Sequence, residues 1–389
     1  MNRLVYTHAS NQELANLQIE TLAVHAGFHI DPQTKSLSQP IHMATTFEHP
    51  ADSALNDGYL YQRYTNPTQE QLEIALGVLE GGGEALFFAT GLAAAAAMLH
   101  TLKPGDRVIL ADDTYFAIRK LFVDEGGRMG LRCELVDLTN HAAVQTALAQ
   151  PAALVWMETP SNPLIKVTDV EFVARLAKAG GARSVVDATF ATPILLKPLD
   201  LGADVVLHST TKYLSGHSDN MGGSLITRDP ALRTRLFELR KLLGGTASPF
   251  AAWLTLRGIR TLPCRLAWHC DSAEKIAAFL SSHPNVWKTH YPGLPSHAGH
   301  QIAAKQMRRF GGMLSLQVKG DRARAIQVAS RLKLFTNATS LGSTESLVEH
   351  RQSVEGPTSS TPDNLLRLSI GLEHVDDLIA DLAQALASQ

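Results

Sequence analysis

The chain has 389 residues, of which 45% are apolar and 19% charged, with 35 Lys plus Arg against 37 Asp plus Glu for a formal charge of −2. This balance excludes wholesale disorder and collagen-like repeats, and it leaves no cationic surplus for nucleic acid or an anionic membrane, so the expected partner is a small polar molecule. Three scattered cysteines, Cys133, Cys264 and Cys270, form no CxxC, which excludes a disulfide framework and predicts reduced thiols in a cytoplasmic protein.

The opening stretch, MNRLVYTHASNQEL, lacks the apolar core of an export signal, in keeping with a cytoplasmic location. Residues 1–60 show weak periodicity and loop signals at Asp31-Pro32, Gln39-Pro40 and Asn56-Asp57-Gly58, so they read as an arm and not as a domain. Thr68-Gln69-Glu70-Gln71 fits a capping box, and Leu72, Ala75, Leu76 and Leu79 predict a helix that Gly81-Gly82-Gly83 ends. The longest apolar run, Ala85 to Leu99, is interrupted by Thr90 and Gly91 and falls short of the ~20 residues of a membrane span.

Seven short apolar runs follow one another: Ala85 to Ala89, Arg107 to Ala111, Leu131 to Val136, Ala153 to Glu158, Ser184 to Asp187, Ala203 to His208 and Gly223 to Thr227. Amphipathic stretches such as Asp169 to Ala179 separate most of them. The pattern predicts an α/β fold with a mostly parallel seven-stranded sheet and helices on both faces. From Pro230 the chain turns helical, with a long helix from Leu262 to Ser282, and the proline-rich segment Pro284 to Pro295 marks a boundary. Beyond it, strands Met313 to Val318 and Leu365 to Ile370 with helices Asp321 to Leu332 and His374 to Ala387 predict a small α+β C-terminal domain. The expected organisation is an arm over 1–60, a large domain over 61–283 and a small one over 284–389.

Ligands in such sheets sit outside the carboxyl ends of the strands. There Thr90-Gly91-Leu92 opens an alanine-rich helix; Gly91 serves either a tight turn or an anion at the helix N-terminus. Asp187 ends a strand as either a cap or a functional anion. Ser209-Thr210-Thr211-Lys212 sets hydroxyls and one lysine at a single strand end, where desolvation lowers a lysine pKa enough for Schiff-base chemistry. Competing motifs fail. Ser209-x-x-Lys212 with Ser218-Asp219-Asn220 imitates penicillin-recognising hydrolases but lacks Lys-Thr-Gly, and the His208/His217 and His297/His300 pairs lack further ligands, so no metal is expected. There is no GxGxxG, GxxxxGK[ST] or GxSxG.

Taken together, the segment VVDATFATPILLKPLDLGADVVLHSTTKYLSGHSDNMGG (185–223), with YQRYTNPT (61–68), ETPSNP (158–163), LRGIRTL (256–262), SLGSTESL (340–347) and LLRLSIG (365–371), resembles the transsulfuration (Cys/Met metabolism) family of pyridoxal-phosphate enzymes. The resemblance runs from about Thr21 to the C-terminus and implies the aminotransferase-like fold type I. It implies that Lys212 carries pyridoxal 5′-phosphate through a Schiff base and then shuttles protons, with Asp187 at the pyridinium nitrogen and Tyr115 on the ring. Thr189, Ser209, Thr211 and the backbone of Gly91 and Leu92 would complete the cofactor site, and Asn162, Ser340, Glu345 and Arg367 would hold a small amino-acid substrate. Tyr61 and Arg63 would enter a neighbouring subunit's site, implying a homotetramer of catalytic dimers.

The implied reaction is C–S lysis or γ-replacement on homoserine-derived substrates, of the cystathionine γ-lyase or γ-synthase type. Cystathionine β-lyase or methionine γ-lyase chemistry is the alternative, ahead of an aminotransferase or a non-catalytic relative. The chain departs from the family pattern at Phe116-Ala117 after Tyr115, at Ser343-Thr344, and at EHRQSVEGP (349–357), where a Met-Thr-His is frequent.

Overall fold

A computed structural model describes residues 17–51, 58–356 and 359–387. Residues 1–16 and the Asn56-Asp57 turn signal of the expected arm lie outside the described residues. All seven expected strands form: β1 (Glu84–Phe88), β2 (Arg107–Ala111), β3 (Arg132–Val136), β4 (Leu154–Glu158), β5 (Arg183–Asp187), β6 (Val205–His208) and β7 (Gly223–Thr227). They build one sheet in the order β1-β7-β6-β5-β4-β2-β3. Pairings among β2, β3, β4, β5 and β6 are parallel, whereas β7 runs antiparallel to β1 and β6. Every residue of β4 and β7 is buried, which is why these strands read as unbroken apolar runs. β3, at the edge, is largely exposed and carries Glu134, paired across the strands to Arg107.

The helix Pro67–Leu79 corrects the expected capping box. Asn66 is the N-cap, accepting from the Thr68 N–H at 2.9 Å, with Pro67 in the first turn. The Thr68 hydroxyl instead accepts from the His42 N–H at 2.9 Å. Proline in the first turn lacks an N–H that would have had no partner, so the helix starts earlier than the Thr68 pattern suggests.

A second sheet contains β8 (Val286–His290), β9 (Met313–Val318), β10 (Thr336–Asn337), β11 (Leu347–Glu349) and β12 (Leu365–Ser369), in the order β10-β11-β12-β9-β8. β8 lies inside the proline-rich segment read as a boundary; it is an edge strand with exposed Trp287 and Lys288 and shows no apolar alternation. The helix Leu262–Ser282 joins the two layers. Its Leu262, Leu266 and Cys270 pack in the core of the first sheet, and its Ala273, Ile276, Ala277 and Leu280 in the core of the second. No helix among the described residues is long and apolar enough to cross a membrane.

Because β7 is antiparallel to both β1 and β6, strands β1, β4, β5 and β6 all point the same way. Their carboxyl ends deliver Gly91, Glu158, Asp187 and Ser209 to one edge of the sheet.

Candidate active site

Asp187 ends β5 and is buried. Its Oδ1 accepts from the Thr189 N–H at 3.0 Å and the Thr189 hydroxyl at 2.5 Å. That hydroxyl accepts in turn from the Ser209 N–H at 2.9 Å, so Thr189 ties the end of β5 to the end of β6. Burial raises the Asp187 carboxyl above its ordinary range despite the Thr189 bonds. In register beside it stands Glu158, the last residue of β4. Its carboxyl is pushed well up by burial and then by the Asp187 charge. Two buried carboxylates side by side favour a positive group placed against them.

Glu158 has a second task, one that sequence reasoning missed. Its Oε2 accepts from the Tyr115 N–H at 2.7 Å and its Oε1 from the Asn162 N–H at 3.0 Å, so it sets the backbone of two predicted site residues. The available signal was its position, a strand-terminal acid opening ETPSNP.

Lys212 follows β6, and its Nζ donates to the Ser340 hydroxyl at 2.9 Å. Burial, with Arg367 acting in the same direction, pushes its pKa down to about 8. Ser340 reaches this place from the other sheet with a φ of 108°, a left-handed backbone that a serine adopts only under strain. From there its carbonyl accepts from Arg367 Nη2 at 2.9 Å, so one residue faces both the lysine and the arginine. Arg367, on β12 and 3% exposed, also donates through Nη1 to Asn162 Oδ1 at 3.1 Å. It pairs through Nη2 with Glu349 at 2.7 Å, its register partner on β11. A continuous path of hydrogen bonds therefore joins Lys212, Ser340, Arg367, Asn162, Glu158 and Tyr115 across the two sheets.

At the end of β1 the helix Gly91–Leu99 begins, capped by Thr90, whose side chain accepts from the Ala93 N–H at 2.9 Å. The first N–H groups of a helix, here those of Gly91 and Leu92, have no partner within it. A Cβ on Gly91 would lie 3.2 Å from Ser209 Cβ, and one on Gly223 would lie 2.6 Å from Gly91 Cα. Glycine at both positions keeps this helix start open beside Ser209, whose hydroxyl bonds to none of the described residues. The Thr211 hydroxyl is differently engaged: it donates to the Gly222 carbonyl and accepts from the Gly222 N–H, both at 3.1 Å.

Three predicted residues share no hydrogen bond or ion pair with this cluster among the described residues. Tyr61 and Arg63 are exposed, with the Arg63 guanidinium 5.2 Å from the Tyr61 ring centroid. The Arg63 carbonyl accepts from the Thr246 hydroxyl at 3.0 Å. Glu345 accepts from the Ser218 hydroxyl and, at 3.0 Å, from that of Thr344. Burial raises its carboxyl, but these hydroxyls outweigh burial and hold it below the ordinary range. Ser343 bonds to Ser218 as well, at 2.6 Å, so among the described residues Glu345 belongs to a hydroxyl cluster and makes no ion pair. No group of three or more His, Cys, Asp or Glu among the described residues is arranged to hold a metal ion.

Residues 20–387 match the family described as Cys/Met metabolism PLP-dependent enzyme. The chain belongs to this pyridoxal-phosphate-dependent family. The cystathionine gamma-synthase of Mycobacterium leprae is 43% identical over 374 residues, covering 95% of this chain and 96% of that protein. The cystathionine gamma-lyase of Dictyostelium discoideum is 41% identical over 379 residues, covering 95% and 98%. The crystal structure of cystathionine gamma synthase from Xanthomonas oryzae pv. oryzae in complex with cystathionine superposes with a TM-score of 0.92 at 41% identity, covering 95% of this chain and 98% of that one. Family members of different activity are thus almost equally similar, so resemblance along the whole chain does not separate their reactions.

Proposed function

We propose that this enzyme works at the γ-carbon of homoserine-derived amino acids. It either cleaves cystathionine to cysteine, 2-oxobutanoate and ammonia, or joins an activated homoserine to cysteine. The observation that carries this reading is the hydrogen-bonded path from Lys212 to Arg367, in a chain about as similar to a γ-synthase as to a γ-lyase.

The residues fit the cofactor. The buried Asp187 and Glu158 carboxylates suit a protonated ring nitrogen, and the open helix start at Gly91 and Leu92 with the Ser209 hydroxyl suits a phosphate. Thr189 holds Asp187 in place, and the Tyr115 ring offers a stacking face. Thr211 supports the phosphate site indirectly by fixing the Gly222 backbone. When bound, pyridoxal phosphate supplies an electron sink next to the substrate nitrogen. Lys212 anchors it and then, with its pKa near 8, takes a proton from the substrate Cα and, after releasing it, one from Cβ, which drives off the γ-substituent, and hands a proton to the leaving sulfur or oxygen. Arg367 grips the α-carboxylate through its guanidinium fork, with Asn162 and Ser340 setting the orientation of that fork. Glu345, with Ser343 and Thr344, follows Ser340 in the chain and is assigned the balance between elimination and replacement.

Product analysis tests the reaction. Cystathionine alone, and O-succinylhomoserine or O-acetylhomoserine with cysteine, are supplied to the purified holoenzyme. The expected products are 2-oxobutanoate with cysteine, or new cystathionine. Pyruvate with homocysteine as the dominant products would show β-elimination and overturn the γ-carbon assignment.

Tyr61 and Arg63, exposed and sharing no hydrogen bond among the described residues with the Lys212 cluster of their own chain, are assigned to the phosphate of a neighbouring subunit within a tetramer of catalytic dimers. Mixing Arg63→Ala chains with Lys212→Ala chains is expected to restore activity, because each hybrid interface then contains one intact site. Verified hybrids that stay inactive would place Arg63 outside the neighbour's site.

A further inference from the structure

Two of the departures from the family pattern meet in space. Phe116, after Tyr115, and Arg351, within EHRQSVEGP, come together with the guanidinium carbon 5.6 Å from the Phe116 ring centroid. The Phe116 ring in turn meets the Tyr115 ring edge-on at 4.9 Å. Arg351 is only 1% exposed, and its fork spans two carboxylates: Nη1 to Glu349 Oε2 at 2.7 Å and Nη2 to Glu355 Oε1 at 2.9 Å. Glu355 is itself fixed by the Thr361 hydroxyl at 2.7 Å. The decisive contact is the shared oxygen, since Glu349 Oε2 lies 2.7 Å from Arg351 and also 2.7 Å from Arg367.

We propose that Arg351 is a positioning residue that keeps Arg367 available to the substrate α-carboxylate by drawing on the Glu349 charge that would otherwise neutralise it. The charge of Arg351 beside the shared oxygen offsets that of Glu349, so more of the positive potential of Arg367 is left for an incoming anion. Arg367 is buried, and the shared carboxylate and its other partner act on it oppositely: burial lowers its pKa to about 10, Glu349 raises it and Arg351 lowers it again. Phe116 fills the space beneath the Arg351 guanidinium and links it to the Tyr115 wall of the site. Arginine suits this place because its planar fork bridges two carboxylates at fixed spacing, which the point charge of lysine does not.

This inference rests on the assignment of Arg367 to the α-carboxylate, and the test separates the two. Binding of L-alanine and of L-alaninamide, which lacks the carboxylate, is measured by calorimetry on the wild-type holoenzyme and on two variants. One is Arg351→Lys; the other is Arg351→Met combined with Glu355→Gln, which avoids stranding a buried charge and so protects the fold. Wild type is expected to prefer L-alanine. Both variants are expected to lose that preference by about 10- to 100-fold, the range for a charged hydrogen bond, and to raise KM by a similar factor with kcat changed far less. A wild type that binds both ligands equally would refute the assignment of Arg367. A wild type that discriminates, together with a folded double variant that discriminates as well and keeps its KM, would refute the role of Arg351 alone.

Discussion

Lys212→Ala is expected to remove covalent cofactor retention and turnover together. Lys212 is the half-buried amine at the carboxyl edge of the sheet, its Nζ 2.9 Å from the Ser340 hydroxyl and its pKa pushed down to about 8 by desolvation and by Arg367. An ordinary lysine, with a pKa near 10.4, holds almost no neutral amine at pH 7, whereas a pKa of 8 leaves roughly a tenth of it neutral and nucleophilic. Capture of pyridoxal phosphate by the wild-type apoprotein should therefore speed up with pH and level off above about 8. In the variant, borohydride reduction should leave no cofactor attached, and kcat/KM should fall by roughly 10³-fold or more, because anchor and proton carrier are lost at once. Covalent labelling of Lys212→Ala on reduction would assign the anchor to another lysine and redraw the site.

Asp187→Asn separates catalysis from stability, and the two are expected to move in opposite directions. The folded carboxyl has its pKa raised by burial, so in the apoprotein the buried charge costs stability. That cost is absent below the unfolded pKa and fully present above the folded one. Asparagine removes it while still accepting the Thr189 hydrogen bonds, and it relieves the repulsion that raises Glu158. The Tm of the variant apoprotein should rise at neutral pH and match wild type in acid. Activity should fall by about 10²-fold or more, since a neutral amide no longer holds the ring nitrogen protonated. An unchanged kcat/KM would reduce Asp187 to the cap for Thr189.

The first sheet was legible because burial leaves a pattern. β4 and β7 are covered on both faces and survive in the sequence as short apolar runs that helical periodicity does not fit. β8, β10 and β11 escaped detection for the opposite reasons. β8 is an exposed edge strand, and the other two have two and three residues, too few for any period. Within the candidate site, position alone marked Lys212, just past a buried strand, and left Asp187, which closes one, as either a cap or a functional anion. Asn162, Ser340 and Arg367 were found only through resemblance to a family, because nothing local distinguishes an arginine in LLRLSIG from a surface one.

What the sequence determined by itself was the layered α/β architecture and the strand-end positions of Lys212 and Asp187; each follows from the order of apolar and polar residues within a few turns of chain. Only the tertiary structure decided which groups face one another. Glu158 stands beside Asp187 through the pairing of β4 with β5, Glu349 beside Arg367 through that of β11 with β12, and Arg351 over Phe116 by the approach of segments more than 200 residues apart. Strand register and the packing of two sheets set these neighbours, and both arise from the burial of residues far apart in sequence, which no local pattern encodes.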